Sequence, residues 1–189
     1  MPAIPRRMHY SYGEYLALED FSAVRHEYLD GEIYAMASAT PHHAALAAAV
    51  LAGLRSQLPF GYRAFTSDLR VRVPATGLST YPDGAVVCGS TQRAAEDSIA
   101  VTNPMILIEV ESNSSEDYDC GEKLRHYQAI RSAQEILILS HREPRISLHR
   151  RDGDSWTSSE HVAGGTVPVR SIGGSLRVDD VYRDGLEDA

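Results

Sequence analysis

Apolar residues gather in three short unbroken runs, within "DGAVVCG", "PMILIEVES" and "EILILS". Runs of four or five apolar residues bounded by glycine, proline or charge read as strands buried on both faces, and the first two are expected at the centre of a sheet. "YRAFTSDLRVRVP" alternates instead, as a strand with one wet face does. Helical patterning occurs three times. Ser11 and Glu14 have capping-box spacing ahead of Tyr15, Leu16 and Leu18, predicting a helix near 11–19. Thr40-Pro41 supplies a cap and a first-turn proline before "HHAALAAAVLAGLRSQL", which should run to about Leu58-Pro59. Leu124, Tyr127 and Ile130 recur at helical spacing, with Asp119 as cap and Glu122 in the first turn, predicting a helix from about 120.

Turn chemistry fills the gaps between these elements. "RHEYLDGEIYAM" predicts a hairpin about Asp30-Gly31, and "RISLHR" with "SWTSSEHV" predicts another about Asp152-Gly153. The glycine-rich "AGGTVPVRSIGGSL" reads as surface loop with an edge strand. The expected order is helix, hairpin, long helix, three strands, helix, strand and terminal hairpin. That is an α/β chain whose mixed sheet is covered on both faces.

Composition narrows the class. The 189 residues suit one domain spanning 1–189, and 43% hydrophobic with 23% charged residues is the balance of a chain that folds. No apolar run approaches the ~18 residues of a membrane span, and "MPAIPRRMHYSYGEY" lacks the apolar core of a signal peptide, so a cytoplasmic protein is expected. Cys88, placed in a core strand, and Cys120, at a helix start, match no paired spacing and are read as reduced. The net charge of −8 lacks the broad basic footprint usual for nucleic-acid binders. Any such partner would need a local cationic stripe or a bound cation.

The candidate chemistry lies where carboxylates interrupt the buried runs. Asp83 stands at the mouth of one core strand and Glu109 at the end of another, so two adjacent strands would present acids side by side, costly without a cation between them. A hard divalent ion, Mg²⁺ or Mn²⁺, takes such carboxylates and keeps waters for a phosphate substrate. The period of two puts Glu109 and Glu111 on one face, with the Val110 carbonyl as a further oxygen ligand. Lys123 is the only lysine in the chain. It lies on the following helix, from which it could act on a metal-bound water or stabilise charge on a pentacoordinate phosphate. Each residue also has a simpler reading. Asp83 could be a turn residue after Pro82, Glu109 an ion-pair partner and Lys123 a solvated helix lysine. Glu111 and Asp68 could face water, Glu27 could form a cross-strand ion pair, and His42 and His43 could be packed or exposed residues of a helix start.

Pro82-Asp83 followed by Glu109-Val110-Glu111 resembles the PD-(D/E)XK nuclease superfamily. "HEYLDGEIYAM", "ATPHHAAL", "SDLRVRVP", "YPDGAVVC", "LIEVESNSSEDYDCGEKLRHYQAI" and "EILIL" resemble, in order, its Uma-type branch of restriction endonucleases. The resemblance implies a restriction-endonuclease-like mixed β-sheet core flanked by helices, with an N-terminal helix and hairpin. It implies Asp83 and Glu109 as metal ligands with the Val110 carbonyl, Lys123 as the catalytic cation displaced from the triplet onto the helix, and Glu111 beside them. Glu27 and Asp68 become accessory acids with Glu111, the substrate DNA, the cofactor Mg²⁺ or Mn²⁺, and a homodimer the expected assembly; His42, from its place at the helix start, is a further accessory candidate for contact with phosphate. Two departures stand out: "SNSSEDYD", with Glu116 and Asp117, replaces the usual Ser-Pro-Ser-Thr-like turn, and Leu139-Ser140-His141 replaces a Val-Asp pair. Two other readings are a catalytically silent scaffold of the same fold, in keeping with the acidity, and a hydrolase of small phosphoesters.

Overall fold

Capping chemistry sets the helices. Helix α1 (Tyr12–Phe21) starts at Ser11, whose hydroxyl accepts the Glu14 amide while the Glu14 carboxylate takes the Ser11 N–H at 2.7 Å. Helix α2 (Pro41–Arg55) starts at Thr40, which accepts the His43 amide, and it buries Leu46, Val50 and Leu54 along one stripe. Strands β1 (His26–Leu29) and β2 (Glu32–Ala35) pair with Leu29 opposite Glu32. Asp30 and Gly31 therefore form a two-residue loop, both at positive φ (46° and 87°), as a type I′ turn requires. The computed structural model describes residues 9–112 and 119–183, apart from the side chains of Asp119 and Cys120. The sequence expectations for Glu116 and Asp117, for Asp119 as a cap and for the Cys120 thiol lie outside the described residues.

Next come β3 (Tyr62–Thr66), β4 (Val71–Val73), β5 (Leu78–Thr80), β6 (Gly84–Cys88) and β7 (Ile106–Val110). A π-helical turn (Asp119–Lys123) leads into α3 (Leu124–Gln128), followed by β8 (Glu135–Leu139), β9 (Arg145–Asp152) and β10 (Ser155–Val162). The chain closes with β11 (Thr166–Val169), a 3₁₀ turn (Arg170–Ile172), β12 (Gly174–Arg177) and the short α4 (Val178–Val181). Six strands form the main sheet in the order β10-β9-β8-β7-β6-β3, with β7 and β8 parallel and the other pairs antiparallel. A second sheet runs β2-β1-β5-β4, and β11 pairs with β12. The mixed sheet flanked by helices is the expected fold class.

Several local expectations give way to tertiary packing. The alternating segment before Pro74 is two strands in different sheets, because the chain turns at Thr66–Leu69 (Leu69 N–H to Thr66 O, 3.1 Å). β4 has no wet face: Val71 and Val73 enter a core, and the Arg72 guanidinium lies 4.0 Å over the Tyr12 ring. β5, which no sequence pattern predicted, follows the tight turn closed by the Gly77 N–H to the Val73 carbonyl at 2.9 Å. The centre of the sheet is β7 and β8, with β6 one place outward. The second hairpin loop is Gly153-Asp154, since Asp152 pairs with Ser155. Cys88 is exposed rather than core, because β6 ends there against the edge strand β3. In the glycine-rich C-terminal stretch the expected strand is present, but Val167, Val169, Ile172 and Leu176 are buried in the core cluster that includes α2, while Gly164, Thr166, Arg170 and Gly173 stay exposed.

The sheet has a core on each face. Ile106, Ile108 and Val110 point with α2 and the C-terminal strands into one, while Leu107 points with Tyr127, Ile130, Ile136 and Ile138 into the other. Alternation then sends Glu109 the same way as Leu107, toward α3. That parity places the candidate site.

Candidate active site

β6 and β7 pair with Gly84 opposite Ile108, and one further step of that register sets Asp83 opposite Glu109. The strands part there, and Asp83 Oδ2 takes the Val110 N–H at 2.8 Å. From the first turn of α2, His43 Nε2 stands 3.2 Å from the same Asp83 oxygen and 3.0 Å from the Val110 carbonyl. Proline at N1 and the Thr40 cap fix the helix start that aims this ring.

Glu109 is 4% exposed and faces α3. Lys123, 5% exposed, brings Nζ to 3.0 Å from Glu109 Oε1 and 3.1 Å from Glu27 Oε1. Tyr127 donates its hydroxyl to Glu109 Oε1, and Thr80 donates its hydroxyl to Glu27 Oε1. The Lys123 ammonium of the π-helical turn thus joins β1 to β7, and β5 and α3 each add a hydroxyl to one of its two carboxylate partners. Burial, and then the Glu109 charge, raise the Tyr127 phenol well above its ordinary value of 10. His126 is held below 6.5 by burial, with the Glu122 carboxylate 4.0 Å away opposing the shift.

Glu27, Asp83, Glu109, Val110, Glu111, Lys123, His42 and His43 all line one broad open cleft. Glu27, Glu109 and Lys123 touch directly, and Asp83 joins them through the Val110 backbone. Glu111 shares the Glu109 face but is engaged by Arg145 at 3.7 Å. Asp68 lies apart: its side chain is 77% exposed and pairs with Arg25. Of the two histidines, His43 makes the contacts to Asp83 and Val110, while His42 Nε2 is buried without a hydrogen-bond partner. Sequence reasoning also passed over Tyr127 and Thr80. Tyr127 had a signal, since it follows Lys123 by four residues and so shares its helical side. Thr80 had none.

Among the described residues no group of three or more His, Cys, Asp or Glu side chains is arranged to hold a metal ion. The donor set is nevertheless that of a hard cation, with two carboxylates and a backbone carbonyl on one cleft wall, and Mg²⁺ needs only one or two carboxylates beside water and substrate. Asp83, Glu109 and the Val110 carbonyl therefore fit such an ion. No helix among the described residues is long and apolar enough to cross a membrane.

Comparison with known proteins agrees with this architecture. "Uncharacterized protein slr1290" of Synechocystis is 33% identical over 172 residues, covering 90% of each chain. A second Synechocystis protein, "Uncharacterized protein sll1609", is 29% identical over 153 residues, 78% of this chain and 84% of its own. A crystal structure described as a putative nuclease belonging to DUF820 from Anabaena variabilis superposes with a TM-score of 0.69 at 20% identity, covering 86% of this chain and 92% of that one, and shares the fold. The family described as "Uma2: Putative restriction endonuclease" matches residues 12–177, nearly the whole described fold, and the chain belongs to that family.

Proposed function

We propose that the protein is a Mg²⁺- or Mn²⁺-dependent endonuclease that hydrolyses DNA phosphodiester bonds, working in the cytoplasm as a homodimer. One observation carries the reading: the Lys123 ammonium, supplied by a turn distant in sequence from β1, sits between Glu27 and Glu109 on the cleft that Asp83 also lines. Asp83, Glu109 and the Val110 carbonyl would hold the cation, which would supply an activated water and neutralise phosphoryl oxygens. Lys123 orients the nucleophile and balances negative charge developing on the phosphate, and its two carboxylate partners keep it in place for that task. His43 holds Asp83 Oδ2 and the Val110 carbonyl in register. Arg25 and Arg142 line the same cleft and offer cationic contacts to the backbone of an approaching strand. With a net charge of −8, divalent ions also offset repulsion between chain and DNA.

The test is nicking of supercoiled plasmid by purified protein with Mg²⁺ or Mn²⁺, beside Asp83→Ala and Lys123→Ala. Cleavage by the wild type and its loss in both variants is the expected result. Full cutting by both variants means the activity belongs to another site. Absence of metal uptake in calorimetry would instead favour a silent scaffold, and turnover of a chromogenic phosphodiester with plasmid left intact would favour a small phosphoester as substrate.

A further inference from the structure

Glu109 is held by two groups from one side of one helical segment. Lys123 and Tyr127 are four residues apart, and both reach Glu109 Oε1. The Tyr127 ring packs among Val71, Leu107, Ile130 and Ile136, which accounts for an aromatic residue at 1% exposure. Packing does not account for its hydroxyl, because phenylalanine would fill the same space and leave no buried O–H to satisfy. Glu27 repeats the arrangement, with Thr80 giving a hydroxyl to the oxygen that Lys123 also touches. Each carboxylate sharing the ammonium therefore has a neutral donor as well. A neutral donor fixes how a carboxylate is turned without cancelling its charge.

We propose that Tyr127 is a positioning residue of the cleft, its hydroxyl setting the rotation of Glu109 so that the carboxylate meets a divalent cation bound there. The inference rests on the nuclease reading for the identity of the cation site, but its test does not depend on cleavage. Full-length Tyr127→Phe is compared with wild type by titration with Mn²⁺, following the electron paramagnetic resonance signal of the free ion, alongside chemical denaturation. The Mn²⁺ Kd should rise about tenfold or more, the range for loss of a group that supports a metal ligand. The kcat for plasmid nicking should fall by a similar factor with KM for DNA unchanged, and Thr80→Val, which removes the hydroxyl from Glu27, should shift the Mn²⁺ Kd by a smaller factor. A lower denaturation midpoint with unchanged Mn²⁺ affinity and kcat would overturn the positioning role and leave the nuclease reading standing. Wild-type protein that takes up Mn²⁺ without cutting DNA, with Tyr127→Phe binding tenfold more weakly, would uphold the role while the nuclease reading falls. No Mn²⁺ uptake by wild type overturns both. Should Tyr127→Phe fail to fold, site-specific 4-fluorophenylalanine at 127 fills the space of the hydroxyl without its proton; a raised Kd is then expected, and an unchanged one overturns the proposal.

Discussion

Two buried glutamates on neighbouring parallel strands behave differently. Glu135 opens β8 and is 1% exposed; Glu109 lies near the end of β7 and is 4% exposed. Glu135 receives the Arg150 guanidinium at 2.9 Å, the Arg170 and Ser171 amides at 3.0 and 3.1 Å, and the Ser171 hydroxyl. Its charge has a cation of its own, and the four donors tie β8 to β9 and to the 3₁₀ turn. Glu109 instead shares its ammonium with Glu27, on a cleft that Asp83 also enters. Burial of an acid does not by itself mark a site. What separates the two is the setting: Glu135 is balanced by its own guanidinium away from the cleft, while Glu109 shares Lys123 with Glu27 on the cleft itself, and carboxylates gathered on an open cleft are what a divalent ion joins.

The contrast can be broken at either corner. Lys123→Met should have the largest effect. It leaves Glu27 and Glu109 facing each other without an ammonium, lowering stability by about 3–5 kcal/mol in urea melts and nicking by about 10²–10³-fold. Nicking at the wild-type rate by folded Lys123→Met would remove the lysine from the reaction. Glu135→Gln strips the charge from the balanced corner, so melts should show a loss of about 1.5–3 kcal/mol while Mn²⁺ affinity per folded molecule stays the same. A Mn²⁺ affinity that falls along with stability would erase the distinction between the two acids. His43→Gln should act only at the cleft, weakening Mn²⁺ binding by about tenfold with little change in melting.

The smallest effect sharpens the balanced class. Asp97, 4% exposed, is raised by burial, but the Arg70 guanidinium at 2.8 Å and the Tyr12 hydroxyl outweigh that and hold it below its ordinary 3.8. A depressed carboxylate contributes stability that is present above the unfolded value and lost as pH falls through the folded one. Wild type should therefore lose stability more steeply than Asp97→Asn as pH drops below about 3.8. Parallel curves would show that the Asp97–Arg70 pair contributes nothing to acid sensitivity.

Much of this was readable in one dimension. Thr40-Pro41, Ser11 with Glu14 and Asp30-Gly31 each act within a few residues, so α1, α2 and the first hairpin stand where their caps and turn residues put them. The runs around 85–88, 106–108 and 136–139 are strands because an unbroken apolar run of that length needs cover on both faces. Failures came where a segment's surroundings lie far along the chain. Thr-Val-Pro-Val at 166–169 alternates, yet its glycine flanks hid that it covers α2. Cys88 looks buried until the neighbouring edge strand is known. The alternation at 62–73 continues across a turn into another sheet.

For the site, the chain order of Asp83, Glu109 and Lys123 and the parity of β7 were written in the sequence, because both follow from strand period and neighbour spacing. Only the tertiary structure decided that Lys123 lies between Glu109 and Glu27, that Asp68 turns outward to Arg25, and that His43 rather than His42 reaches Asp83. Those outcomes depend on distances between segments separated by tens of residues, set by how the second sheet and α3 pack on the first, and no local rule of spacing fixes them.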